Sequence, residues 1–342
     1  MGNKVSGVVR VGLIGAGGIS HAHAQGFLKH ADKIRCVALC DVSQENLKKR
    51  AEQLGGHPRT FSDWKVMLRE MRDQLDAVDI CLPHHLHGPA ILDAAAAGLH
   101  ILCEKPMCTS LAEAEQIEDA VSRAGVTYMS AHNQLFMPVV QEARKMIQSG
   151  AIGQMYWLRS ADCFAAGRTD RSGWGWRADR KTQGGGELID TGYHPSYRLL
   201  YLAGAKAVKI NATMGRFRLD IDGEDTASVQ VRFDNGVIGE ILTSWAMNLP
   251  HGTHHIHVVG DKGQIFGSDN TLYYLPQGFS EPARRTFNPV NTFEAEIGHF
   301  ADCLRDATRP IHGVAEGKAV LELILKAAQS AEGWQETAVL RV

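Results

Sequence analysis

Residues 8–20 read VVRVGLIGAGGIS. The first half is a short apolar run with a β-branched bias, as in a strand buried on both faces. The second half sets Gly15 and Gly17 in a turn, places Ser20 three residues further on, and leads into a helical pattern from Ile19 to His30. In such a turn the first glycine permits the sharp bend and the second lets backbone approach a ligand. The third position needs a small side chain where helix meets strand, and serine can fill it. The helix that opens there offers unpaired N–H groups to an anion such as a pyrophosphate. Gly15, Ala16, Gly17, Gly18, Ile19 and Ser20 are therefore the candidate cradle of a dinucleotide.

The sequence on either side supports that frame. IRCVALCD (34–41) is a second strand ending in Asp41, placed to accept hydrogen bonds from ribose hydroxyls and to repel a 2′-phosphate. That favours NAD over NADP, against the nearby Lys48 and Lys49. A helix follows, with Ser43 as N-cap and Gly55 after its end. DWKVMLREM (63–71) reads as helix, LDAVDICLP (75–83) as strand, PAILDAAAAGLH (89–100) as helix and ILCEKP (101–106) as strand. Residues 110–125 form an amphipathic helix whose Ser110 and Glu113 make a capping box. VTYMSAHN (126–133) is one more strand. Strands alternating with helices imply a doubly wound parallel sheet of the Rossmann type.

Past about residue 135 the rhythm changes. A helix over 138–149 gives way to long strand-like runs, with hairpin signals DNG at 234–236 and DKG at 261–263 and a closing helix over 317–333. This predicts an α+β second domain on an open, mostly antiparallel sheet. The chain divides into 1–132, a dinucleotide-binding domain, and 133–342, a domain for substrate and oligomerisation.

A chain of 342 residues is long enough for two such domains. Lys+Arg 36 against Asp+Glu 38 leaves a net charge of -2, which gives no field for nucleic acid or an anionic membrane. The expected partner is a small, neutral molecule. Seven cysteines, several in apolar strands, suit reduced thiols in the cytoplasm better than a disulfide framework. No run is long enough for a membrane span, and no signal peptide precedes the first strand. MGNKVS at the start does match the N-myristoylation pattern at Gly2.

Two places carry the chemistry. Lys105 in CEKP (103–106) stands at the C-terminal end of a parallel strand, the edge where ligands bind in open α/β sheets. Pro106 after it is a candidate for a cis bond that fixes the lysine's direction. GGGELIDTGYH (184–194) places three glycines ahead of Asp190 and His194. Read as one helix, it sets the acid and the imidazole at i and i+4 on one face, with a break or kink expected at Pro195. A carboxylate there fixes the histidine's tautomer and suits it to take a proton from a hydroxyl. Trp174, Trp176 and Arg177 in the nearby SGWGWR (172–177) are candidates for holding a sugar or for packing between domains.

Taken together, GAGGIS, the strand-end Asp41, EKP, GGGxxxDxGxH, CLPHHLH, HNQLFMP and GAIG resemble the glucose–fructose oxidoreductase / inositol dehydrogenase (Gfo/Idh/MocA) family nearly end to end. The resemblance implies a Rossmann domain followed by an open-sheet domain, and oxidation of a secondary alcohol on a sugar or cyclitol. It implies Lys105, Asp190 and His194 as a catalytic trio, and Gly15, Gly17 and Asp41 as cofactor contacts. Pro83, His84, His87, Glu104 and Asn133 would line the dinucleotide, and Trp176 and Arg177 would stand with the substrate. Ser20 departs from the family's glycine or alanine. Tyr197 stands where many members carry an acid, and His84 where asparagine is frequent.

Other readings stay open from sequence. Oxidation followed by elimination would make a glycosidase that consumes no net NAD. An NAD-bound regulatory protein would show no turnover. HHLH (84–87) and HHIH (254–257) look like metal ligands, yet the lysine-centred mechanism needs no metal. The open sheet predicts a homodimer or homotetramer.

Overall fold

A computed structural model describes residues 4–333; Gly2, with its acylation pattern, lies outside them. Apart from β3, which the sequence did not signal, the first strands and helices follow the sequence closely: β1 Val9–Ile14, α1 Ser20–Lys29, β2 Ile34–Cys40, α2 Gln44–Leu54, β3 Arg59–Phe61, α3 Trp64–Glu70, β4 Ala77–Ile80, α4 His87–Ala96, β5 His100–Glu104, α5 Leu111–Ala124 and β6 Tyr128–Ala131. The strands form one parallel sheet in the order β3-β2-β1-β4-β5-β6. That order reverses direction between β1 and β4, the place where open α/β sheets take their ligands.

The chain forms two compact units, and they do not divide at one point. The first runs to Gln141 and takes back Lys181–Gly184 and Phe287–Leu321. Its core joins Val9, Val11 and Leu13 of β1 to Phe27 and Leu39, and to Ile297, Phe300 and Leu304 of a helix near the end of the chain.

The second unit holds Glu142–Arg180, Gly185–Thr286 and the chain from Glu322. After α6 Pro138–Gln148 come β7 Met155–Cys163, α7 Arg180–Gln183, α8 Glu187–Asp190, α9 Tyr193–Ala203, β8 Ala207–Gly215, β9 Thr226–Phe233, β10 Ile238–Ser244, β11 Ile256–Gly260, β12 Gly263–Ser268, β13 Thr271–Pro276 and β14 Ala283–Thr286. α10 Thr292–Asp306 and α11 Val314–Glu332 close the described chain. The eight strands are ordered β14-β13-β12-β11-β7-β10-β9-β8, antiparallel except for β7 beside β10. On β9 buried Ala227, Val229, Val231 and Phe233 alternate with exposed neighbours, the period-two mark of a sheet with one covered face.

One expected element differs. The helix from Glu187 is two helices, broken at Thr191–Gly192 rather than at Pro195. Across the break the Gly192 N–H reaches back five residues to the Glu187 carbonyl, and the His194 N–H takes the Thr191 carbonyl. Pro195 is the third residue of α9, where a missing N–H leaves nothing unpaired that a helix start would not. A side chain at Gly192 would lie 2.6 Å from Leu188 Cα and 2.8 Å from Thr243 Cγ2, so only glycine lets the break sit against β10.

Candidate active site

In the first unit the glycine turn lies at the reversal of strand order. Gly15 has φ +96, and a Cβ on it would lie 2.3 Å from the Cys81 carbonyl oxygen at the end of β4. Gly17 and Gly18 face open space, as a backbone that approaches a ligand requires. Asp41 at the end of β2 accepts a hydrogen bond from the Ala16 N–H at 2.7 Å and another from the Ser43 N–H at 2.7 Å. The acid therefore stands beside the turn and is held in place by it. Ile19 is exposed and Ser20 buried at the start of α1. These residues fit a dinucleotide: open glycines, a helix N-terminus and a fixed carboxylate lie together on one sheet edge.

The other expected cofactor residues stand at the ends of β4, β5 and β6. Pro83 caps a short helical turn in which His84 Nδ1 donates to the Gln183 carbonyl at 2.8 Å. His87 is buried, with Nδ1 2.6 Å from the Pro106 carbonyl and Nε2 2.7 Å from that of Leu82. Both carbonyls can be served at once only by a protonated ring. Burial lowers the pKa of His87 more than the two carbonyls and Glu104 raise it. Both ring nitrogens thus point at carbonyls of the loops after β4 and β5, and in its neutral form the ring donates to one of them. Asn133 donates to Thr292 Oγ1 at 2.9 Å. The Lys105–Pro106 bond is cis, as the sequence suggested.

Under Lys105 lies a buried cluster that sequence reading missed. His23 of α1 is flanked by Asp79 at 2.8 Å and Glu104 at 3.1 Å, and Glu104 also accepts the Lys105 N–H at 3.0 Å. Burial is the largest influence and opposes a charged His23, yet Asp79 and Cys81 together outweigh it and the pKa is raised well above the usual value. Burial alone would raise Glu104; the bond from His23 and the charge of Lys105 reverse that, and its pKa is lowered. Glu296 of α10, fully buried near the same group, is pushed well above the carboxylate range by burial. Among the described residues the only three potential metal donors that converge are His23, Asp79 and Cys81; neither histidine tract joins them.

In the second unit Gly186 serves a close crossing of two segments of the chain. A Cβ on Gly186 would lie 2.3 Å from the Glu224 carbonyl oxygen, and one on Gly223 would lie 2.3 Å from Gly186 Cα. This contact lets Glu224 accept the Glu187 and Leu188 N–H groups at 2.8 and 2.9 Å, one on its carbonyl and one on its side chain. It fixes where α8 begins, and so where Asp190 stands. Asp190 is buried and accepts from Arg177 Nε at 2.6 Å, while the Arg177 guanidinium lies 4.3 Å from the Trp176 ring centre. His194 is partly exposed, and its Nδ1 pairs with the buried Tyr197 hydroxyl at 2.7 Å. The residue that departs from the family pattern thus holds the imidazole. Trp174 packs at 4.5 Å on Trp245, whose Nε1 donates to Thr191 Oγ1 at 2.8 Å. That contact is packing within the second unit, where the sequence had suggested a sugar contact or packing between domains.

Two family models cover most of the chain. One, the oxidoreductase family with NAD-binding Rossmann fold, matches residues 9–132; the other, the GFO/IDH/MocA C-terminal domain, matches residues 140–266. The chain belongs to the Gfo/Idh/MocA oxidoreductase family. D-glucoside 3-dehydrogenase of Escherichia coli (strain K12) is 29% identical over 75% of this chain and 76% of its own. scyllo-Inositol 2-dehydrogenase (NAD(+)) of Bacillus subtilis (strain 168) is 26% identical over 94% of each. Levoglucosan dehydrogenase, solved with NADH and levoglucosan, shares the fold at a TM-score of 0.84 and 24% identity, covering 95% of this chain and 97% of its own. This Gfo/Idh/MocA protein is thus an oxidoreductase with an NAD-binding domain. No helix among its described residues is long and apolar enough to cross a membrane.

Proposed function

We propose that this chain oxidises a secondary hydroxyl of a sugar, glycoside or cyclitol to a ketone, using NAD. The observation that carries the reading is the helical break at Thr191–Gly192. It sets a buried carboxylate held by Arg177 immediately before the break and an imidazole held by Tyr197 two residues after it. Bound NAD+ supplies the acceptor for the hydrogen that leaves carbon. His194 or Lys105 takes the hydroxyl proton, and the other stabilises the developing oxyanion. Asp190 orients the substrate through a neighbouring hydroxyl, with Arg177 and Trp176 beside it. Asp41, an acid that would repel a 2′-phosphate, favours NAD over NADP.

Copies of this chain are proposed to pair through the second unit's sheet. Trp157, Arg159, His257, Phe266 and Tyr273 alternate with buried Leu158, Val258, Ile265 and Leu272, and together they give one face an amphipathic aromatic surface. Seven free cysteines suit a cytoplasmic location.

The test is absorbance of NADH with NAD+ and a panel of inositols, aldoses and glucosides, for wild type, Lys105→Ala and His194→Ala. Reduction with one substrate class, falling by about 10²-fold or more in both variants, is the expected result. Release of an aglycone without net NADH would replace it with oxidation and elimination.

A further inference from the structure

Sequence places a serine where the glycine turn usually has its third small residue, and the structure shows what that serine meets. Ser20 is fully buried, and its hydroxyl donates to the Gly17 carbonyl at 2.7 Å. The same hydroxyl accepts from Arg50 Nε at 2.9 Å. Arg50, on α2, is itself only 7% exposed. Its Nη2 donates to the Gly17 carbonyl at 2.9 Å and to the Ala16 carbonyl at 3.4 Å, and its Nη1 to Gln53 and His21. Every face of the guanidinium is thus occupied, and it lies under the turn.

A trans peptide points its carbonyl and the next N–H in opposite directions. With the Ala16 and Gly17 carbonyls drawn to Arg50, the N–H groups of Gly17 and Gly18 are turned to the opposite side, and neither glycine has protein around its Cβ position. Asp41 fixes the preceding peptide through the Ala16 N–H. The turn is therefore gripped at three successive peptides, in the one orientation that offers donors to an anion. The cation beneath adds a favourable field for the same charge.

We propose that Arg50, acting through Ser20, is a positioning residue for the dinucleotide: it holds the turn in its pyrophosphate-binding conformation. The inference rests on the NAD-binding reading of this unit. It accounts for the serine as one half of a pair whose other half is a buried arginine.

Calorimetry with the full chain tests it, using NAD+, ADP-ribose and adenosine as ligands. Arg50→Met is expected to weaken NAD+ and ADP-ribose by about tenfold to a hundredfold, the worth of one or two hydrogen bonds to a charged group. Adenosine, which lacks the pyrophosphate, is expected to bind as before. Ser20→Ala is expected to weaken the same two ligands by about threefold, and to add nothing once Arg50 is already methionine. If Arg50→Met does not fold, Arg50→Lys serves, since lysine keeps the charge but cannot span serine and carbonyls together. Wild type failing to bind NAD+ would sink the cofactor reading itself. Unchanged NAD+ affinity in the variants, or an equal loss for adenosine, would sink the role of Arg50 alone.

Discussion

Gly17 and Gly186 look alike in the sequence, each inside a run of glycines, and the structure gives them opposite reasons. Gly186 is crowded by the Glu224 backbone, with O and N at 2.3 and 2.5 Å from a Cβ position, whereas Gly17 meets nothing within 4 Å. An alanine at 186 must push two backbones apart, an overpacking cost of about 1–3 kcal/mol. An alanine at 17 has room in the protein and takes it from the ligand. The expected outcome is a lower urea midpoint with unchanged slope for Gly186→Ala, and for Gly17→Ala an unchanged midpoint with weaker NAD+ binding. Equal stability of the two variants would refute the distinction. At this scale the sequence pointed to candidate residues but not to what holds them. Asp190 and His194 were legible from spacing and resemblance, but Arg177 on the acid and Tyr197 on the imidazole depend on where the helix breaks. His23 and Glu296 gave no signal, because a lone histidine in a helix and a lone glutamate in another reveal nothing until the fold buries them together.

Among the elements, several with end signals were legible, although α10, capped by Asn291, was not. Ser43 caps α2 by accepting the Asn46 N–H, and Gly55 ends it with φ 62, as the residue types foretold. The expected capping box of α5 is half present. Ser110 accepts the Glu113 N–H, but the Glu113 carboxylate takes the Thr109 N–H, one residue earlier than the motif's return bond. β3 and β14 escaped notice: ArgThrPhe is too short to alternate, and AlaArgArgThr is exposed throughout and buries no face. α10 explains why the last part of the chain returns to the first unit, since it supplies Ile297, Phe300 and Leu304 to that core. Its start depends on Asn291, whose side chain accepts the Phe293 and Glu294 N–H groups at 3.1 and 3.3 Å. Asn291→Ala should therefore lower stability by about 1 kcal/mol, read as a shift in denaturation midpoint, whereas Asn291→Asp should restore most of it. A neutral Asn291→Ala would mean that packing alone fixes the helix start.

Each unit buries a carboxyl whose ionisation its burial opposes. Glu296 in the first and Glu187 in the second are fully buried and pushed well above the carboxylate range, foremost by burial. Thr243 partly opposes the shift at Glu187, and Glu224 and Asp190 add to it. A carboxyl with a raised folded pKa keeps its proton in the native state after the unfolded chain has lost it. Stability then falls as pH rises from the ordinary value of 4.5 towards the folded one. His23 acts in the same direction for a different reason. Its charged form is favoured in the fold, so its contribution is complete below the usual 6.5 and is lost as pH rises through the raised value. Glu104 runs the other way, with a lowered pKa whose benefit is lost only in acid, below 4.5. Above about pH 7.5, where neither Glu104 nor the histidines of lowered pKa change any longer, the native chain should therefore lose melting temperature as pH rises. Glu296→Gln keeps the shape of the side chain and removes the proton that the fold must otherwise hold, so the variant's alkaline fall should be shallower than that of wild type. Thermal melts of both across that range decide it. A flat wild-type profile, or a variant profile parallel to it, would mean that Glu296 gains water or a cation as it ionises, and that the first unit's core is not the dry cluster the structure describes.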